Sequence, residues 1–325
     1  MNRIAAVIIG RNEGEKLRRC LSSVLGMAAP IVFVDSGSED GSAGLARTMG
    51  VDAVELDRSA PFTVARARNA GCARVVQLDP QVECIQFVDA DSEMIPSWFA
   101  HAGRVLLDSP DAGVVFGRTQ ERRPNKSIYS RLYQMEFEAQ AHEPDTCGGM
   151  VMMRVSALHD AGGFNPTMLG FEDYELCVRL RRAGWRVLRL AAPMAVHEAA
   201  MTRFTQWWTR QVRGGHARAH EAALHGRAPE RYRIRECGSI WFWGVCLPVL
   251  AVAAAGPTGG TSVWLLAGYP FLFVRVYRRT RRYGVARAHA ALYAASCVAG
   301  KFPQVIGQIQ FFMRPPETGT LLRHP

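Results

Sequence analysis

Ile85-Gln86-Phe87-Val88-Asp89-Ala90-Asp91-Ser92-Glu93-Met94 is the stretch on which the reading of this chain turns. Its first half is apolar enough for a strand buried on both faces, so charge belongs only at its end. In open α/β sheets, ligands sit outside the carboxyl ends of the strands. Asp89 and Asp91 therefore fall at a rim where ligands bind. Two carboxylates there suit a hard cation, Mg²⁺ or Mn²⁺, which would in turn hold phosphates. Alone, the pair also fits an Asp-capped strand-end turn.

Upstream, apolar runs alternate with helical patterns. Ile4–Ile9 reads as a strand ended by Gly10, and Ile31–Val34 as a second ended by Asp35-Ser36-Gly37-Ser38. Val51–Leu56 is a weaker third. Helical spacing covers Glu13–Val24, Ser42–Met49 and Thr63–Val76. This alternation implies an α/β fold with a mainly parallel sheet flanked by helices. Downstream, helices are expected at Pro96–Leu107, Lys126–Ala141, Glu172–Gly184 and Phe204–Leu224, and strands at Gly113–Gly117 and Trp185–Leu190.

Of the 325 residues, 48% are hydrophobic and 21% charged, a balance that suits a globular core. The net charge of +10 favours an anionic substrate or a membrane surface. Neither zinc-finger spacing nor an RNA-binding aromatic motif is present, so nucleic acid is not expected as a partner. Eight scattered cysteines without a C-x-x-C pair read as reduced and intracellular. Asn2 and Arg3 lead into a short strand-like run rather than a secretory leader, so the catalytic part is expected in the cytoplasm.

The character changes after about residue 200, where Phe204–Leu224 is helix-like and basic. No charged residue occurs from Cys237 to Val274, and Pro257-Thr258-Gly259-Gly260 divides that run. Residues 239–256 and 261–277 are each close to the length that spans a bilayer. Arg231, Arg233 and Arg235 precede the first, and Arg275, Arg278, Arg279, Arg281 and Arg282 close the second. A transmembrane helical hairpin with both flanks in the cytoplasm follows from the positive-inside rule. Residues 288–313 carry Lys301, Gln304, Gln308 and Gln310 and are expected as an interfacial helix. The domains are thus 1–225, catalytic, and 226–325, membrane-associated.

Four features follow one another in the catalytic part: Gly10-Arg11-Asn12-Glu13 after the first strand; Asp35-Ser36-Gly37-Ser38 after the second; Ala67-Arg68-Asn69 with Asp89-Ala90-Asp91; and Gly148-Gly149, Gly162-Gly163-Phe164, then Glu172-Asp173 running into Leu180-Arg181-Arg182-Ala183-Gly184-Trp185. In this order they resemble the family 2 glycosyltransferases, membrane-associated bacterial types included. The resemblance implies a GT-A, Rossmann-like nucleotide-sugar-binding fold, a divalent metal (Mn²⁺ or Mg²⁺), and inversion at the sugar by direct displacement.

On that resemblance Arg11, Asn12, Glu13, Asp35, Arg68 and Asp89 surround the nucleotide sugar. Asp35 would accept hydrogen bonds from base or ribose, and the planar Arg68 guanidinium suits phosphate or a base edge. Many relatives have aspartate where Ser36 stands, which leaves the base open. Asp91 would ligate the metal, Asp89 would bind ribose or the metal and its water, and His197 would be a further ligand of metal or diphosphate. Asp173 would act as general base on the acceptor hydroxyl, and Glu172 is the alternative base or an acceptor contact. Acidic residues at a helix start also serve simply to favour the helix.

Processive relatives carry Gln-x-x-Arg-Trp beyond the base. Here Gln206 precedes Arg210 by four residues and Gln211 precedes Arg213 by two, and neither arginine adjoins tryptophan. Single-sugar transfer is therefore expected, to a lipid-linked glycan or glycolipid at the bacterial inner membrane. A sugar nucleotidyltransferase and a non-catalytic nucleotide-sugar-binding membrane protein are the alternatives.

Overall fold

The structure is a computed structural model that describes residues 3–140, 146–198, 201–227 and 229–313. Its elements run β1 (Ile4–Gly10), α1 (Glu15–Val24), β2 (Ile31–Asp35), α2 (Ser42–Thr48), β3 (Asp52–Glu55), α3 (Val64–Leu78), β4 (Cys84–Asp89), β5 (Ser92–Met94), α4 (Ser97–Asp108), β6 (Ala112–Glu121), α5 (Ile128–Gln140), β7 (Met152–Arg154), α6 (Val155–Asp160), α7 (Glu172–Arg182), β8 (Arg186–His197) and α8 (Phe204–His225). The strands form a sheet in the order β3-β2-β1-β4-β7-β6-β8-β5.

Strands β3, β2, β1 and β4 are all parallel, as the βα alternation requires. The other half is mixed, with β6 and β8 parallel to each other. β7 runs antiparallel to both β4 and β6, and β5 antiparallel to β8. β5 and β7 are only three residues long, too short to show a period of two in sequence. β8 extends seven residues past the expected end, through Pro193. That proline lies where the β6–β8 register shifts, the irregular position a strand proline needs.

The core lies on both faces of the sheet. Ile8 and Phe33 share one face of the sheet with Gln86 and Trp98 of α4, whereas Val7, Val34 and Phe87 point to the other, toward Gly71 of α3 and the Phe164 ring; all are buried. Gln86 is polar at the centre of β4, yet its Oε1 accepts from Trp98 Nε1–H at 2.8 Å. A buried polar group is tolerated on that condition.

The C-terminal part comprises α9 (Ile234–Trp241), a π turn at Phe242–Cys246, α10 (Leu247–Ala253), a 3₁₀ turn at Thr261–Ala267, α11 (Gly268–Arg282), α12 (Arg287–Ala299) and α13 (Lys301–Met313). Pro248 lacks an N–H and crowds the preceding turn, which accounts for the wider π winding just before it. Among the described residues, one continuous helix, Ile234–Ala253, is long and apolar enough to cross a membrane. The second expected span winds as 3₁₀ up to Gly268 before α11 begins. Residues 288–313 split at Gly300 into α12 and α13 rather than forming one helix. α13 lies across α8 at very close range. A Cβ at Gly215 would sit 2.0 Å from Gln304 O, and one at Gly307 only 1.9 Å from Val212 O. Residues 314–325 of the expected membrane region, and Ala141, lie outside the described residues.

Candidate active site

The carboxyl ends of β2, β1 and β4 lie side by side, with Gly10 opposite Asp35 and Ile9 opposite Asp89. They open on a cleft of about 1190 Å³. Arg11, Glu13, Arg68, Asp89, Asp91, Glu172, Asp173 and His197 all line it. Asn12, which is exposed, and Asp35, which is buried, are not among the lining residues. Asn12 has a left-handed backbone (φ 56°), which asparagine tolerates. Its N–H donates to Ser38 Oγ at 2.9 Å and its Oδ1 accepts from Glu39 N–H at 2.8 Å, so the loops after β1 and β2 are tied together. Asp35 is buried and accepts from the Ser38 N–H at 2.9 Å and from the Ser38 hydroxyl.

On one side of the cleft, Asp91 Oδ2 is 3.1 Å from His197 Nε2. The short ladder between β5 and β8 makes this contact, because it sets His197 opposite Ser92. His197 Nδ1 is held 3.1 Å from Glu121 Oε2, and the ring stacks on Tyr133 with centroids 5.0 Å apart. Burial alone would push His197 down, but hydrogen bonds to Asp91 and Glu121 outweigh it and hold the imidazole up at about 9. Burial likewise opposes charge on Asp91, yet the His197 hydrogen bond keeps it below the usual carboxylate range. Asp89 is pushed up by burial, against the opposing pull of Arg68.

Asp91 Oδ2 and His197 Nε2 are hydrogen-bonded to each other at 3.1 Å, and once that shared proton is displaced they offer a carboxylate oxygen and an imidazole nitrogen, a donor pair suited to Mn²⁺. Glu121 on the far ring nitrogen is the second partner that metal-binding histidines require. Among the described residues, no three or more His, Cys, Asp or Glu side chains form a closed cage. An open set of this kind suits a cation that shares its remaining positions with substrate phosphates and water.

Across the cleft, α7 begins with Glu172 and Asp173. Phe171 just before them is left-handed (φ 61°), a strained conformation for a bulky residue. Arg68 donates to Glu172 at 2.8 Å and lies 3.4 Å from Asp89, so one buried guanidinium joins α3, β4 and α7. Gly149 lets it approach, since a Cβ there would lie 2.4 Å from Arg68 Nη2. Burial, and then the neighbouring Glu172 charge, hold Asp173 up at about 7 despite Arg68. Such a carboxyl both keeps and gives up a proton near neutrality. Glu172, by contrast, is committed to Arg68.

Sequence reading missed Glu121 and Tyr133, which carry no local signal; both touch His197, and Tyr133 also lines the cleft. It also missed a whole wall. Arg210 and Arg218 from α8, Tyr293 and Cys297 from α12, and Gln304 from α13 line the same cleft. Trp207 is core, packed with Leu132 and Met201.

The fold, with its cleft at the carboxyl ends of the strands, is similar to that of glycosyltransferases. Residues 5–162 match the family model described as Glycosyl transferase family 2, and residues 131–204 one described as N-terminal domain of galactosyltransferase. Across the matched residues the chain belongs to glycosyltransferase family 2.

Pre-mycofactocin glycosyltransferase of Mycobacterium tuberculosis is 26% identical over 68% of this chain and 48% of its own length. An uncharacterized protein of the same species is 25% identical over 83% of this chain and 90% of its own. The chain thus spans about half the length of the first of these, and 32% of another curated relative. Among solved structures, the mannosyltransferase PcManGT of Pyrobaculum calidifontis, in complex with GDP-Man and Mn²⁺, superposes with a TM-score of 0.56. It is 19% identical and covers 92% of this chain and 86% of that one, a likeness of fold.

Proposed function

We propose that this chain moves a sugar from a nucleotide-sugar donor to a lipid-linked glycan or glycolipid, with inversion, at the cytoplasmic face of a bacterial inner membrane. The observation that carries the reading is the placement of Asp173, a buried carboxyl held up at about 7, on the same cleft as Asp91 and His197. Asp173 takes the proton of the acceptor hydroxyl as that oxygen bonds to the anomeric carbon. The bond to the nucleotide diphosphate breaks, and the diphosphate leaves. Arg11, Asn12, Glu13 and Asp35 shape the nucleotide end. Asp91 and His197, with Asp89 beside them, would hold a divalent cation, which would supply positive charge for the leaving diphosphate. Arg68 keeps Glu172 and Asp89 in place.

Residues 1–225 carry the transferase, and residues 226–325 form a membrane region containing a helical hairpin. The apolar helix Ile234–Ala253 and the exposed side chains of Val252, Trp264 and Phe271 support that reading. Retention of the full-length chain in membranes after alkaline carbonate extraction is expected, and its release would overturn the membrane assignment.

The reaction is tested with detergent-solubilised full-length protein, Mn²⁺ and a panel of UDP-, GDP- and dTDP-sugars, beginning with GDP-mannose. Release of nucleotide diphosphate from one donor, lost in Asp91→Asn and Asp173→Asn, is the expected result. Release of pyrophosphate would instead make the chain a nucleotidyltransferase.

A further inference from the structure

Where α11 ends, the chain turns at Gly284 into α12. Tyr277, Arg278, Arg281, Arg282 and Arg287 line a cavity of about 550 Å³ at this turn. Among the described residues, no ion pair reaches any of these four arginines. Several other arginines are, by contrast, matched by an acid: Arg74 by Asp52, Arg179 by Glu175, Arg210 by Glu136 and Arg233 by Glu221. Like charges gathered without acids repel one another, and an anion between them removes that cost. Arg281 donates to Val285 O, which fixes its guanidinium to the turn.

Two further observations point the same way. Arg287 is the first residue of α12, so the positive end of that helix adjoins the cavity. Its N-cap, Ala286, offers no side-chain acceptor, which leaves the first N–H groups free for an anion. In addition, α11 changes character along its length. Phe271 and Val274 are 64% and 41% exposed on the half before the arginines. Val274 and Arg278 are four residues apart, about 6 Å of helix rise. Apolar surface thus stops where the unpaired cations start.

We propose that this cavity binds the phosphate headgroup of an anionic membrane lipid, whose acyl chains lie along the apolar half of α11. Free phosphate or a soluble nucleotide would satisfy the arginines but leave Phe271 and Val274 against water. The proposal rests on the reading that this end of the chain meets a membrane. It adds a defined anion site to that reading.

The test titrates the full-length chain, in neutral detergent micelles, with dihexanoyl phosphatidylglycerol, dihexanoyl phosphatidylcholine and inorganic phosphate, read by calorimetry. Phosphatidylglycerol is expected to bind more tightly than the other two. Arg278→Gln/Arg282→Gln/Arg287→Gln should weaken it about a hundredfold, at roughly fivefold per arginine. Arg18→Gln/Arg58→Gln/Arg104→Gln removes the same charge from the catalytic half and should leave binding unchanged. Arg287→Gln alone, expected to lose about fivefold, keeps the test readable if the triple variant misfolds. Equal loss in both triple variants would overturn the site and leave only net charge. Tighter binding of inorganic phosphate than of phosphatidylglycerol would overturn the lipid assignment. Flotation of the same protein with phosphatidylcholine vesicles reports separately on the membrane reading. Flotation with no preference for phosphatidylglycerol in the titration sinks the anion site alone, and failure to float sinks both.

Discussion

Arg68 and Glu172 form a buried ion pair at 2.8 Å, with side chains 3% and 7% exposed. The pair joins the helix after β3 to the helix that carries Asp173. Breaking it strands a buried charge, which costs about 3–5 kcal/mol. Arg68→Gln should therefore lower stability by that order in urea unfolding. The two partners also act on Asp173 with opposite sign, Glu172 raising it and Arg68 lowering it. In the variants that remain folded, Arg68→Gln should move the acidic limb of the pH–rate profile to higher pH, and Glu172→Gln to lower pH. Shifts of the same sign would show that neither side chain acts through Asp173.

The wild-type profile should itself be set by Asp173. As a base it works ionised, so turnover is expected to fall about tenfold per unit below pH ~7. Asp173→Asn should cost roughly 10²–10⁴-fold in kcat and leave donor binding intact by calorimetry. Stability follows the opposite trend. The folded state holds this proton to higher pH than the unfolded chain, so the contribution is complete below the ordinary carboxyl range and is lost as pH rises through about 7. Thermal unfolding of Asp173→Asn should then show a gain over wild type above pH 7 and little difference in acid.

Glu121 holds the far nitrogen of His197. Removing such a partner typically weakens metal binding 10–100-fold. Glu121→Gln should show that loss in Mn²⁺ titrations followed by electron paramagnetic resonance, a readout independent of turnover. His197→Ala should lose more. An unchanged Mn²⁺ affinity in both variants would remove His197 from the metal site.

The crossing of α8 and α13 depends on glycine. Gly307→Val would push a side chain into the Val212 carbonyl, with no flexible group able to yield. Overpacking of this kind costs about 1–3 kcal/mol or more. The expected outcome is faster proteolysis after α8 and reduced turnover, since Gln304 and Tyr293 would leave the cleft wall. Turnover equal to wild type would show that the C-terminal helices do not serve the reaction.

The sequence by itself determined the parallel half of the sheet and singled out eight residues that the fold brings to one cleft. Ile4–Gly10, Ile31–Asp35 and Cys84–Asp89 are local apolar runs, and their polar ends mark the rim of the sheet without reference to anything distant. Only the tertiary structure decided the partners. Asp91 meets His197 through the three-residue strand Ser92–Met94, and Arg68 finds Glu172 across the core. Glu121 and Tyr133 enter the site through the ring of His197. Each of these contacts depends on strand register and helix placement between segments far apart in the chain. Neither leaves a periodic pattern in the sequence, because periodicity reports which face an element buries and not what it is buried against.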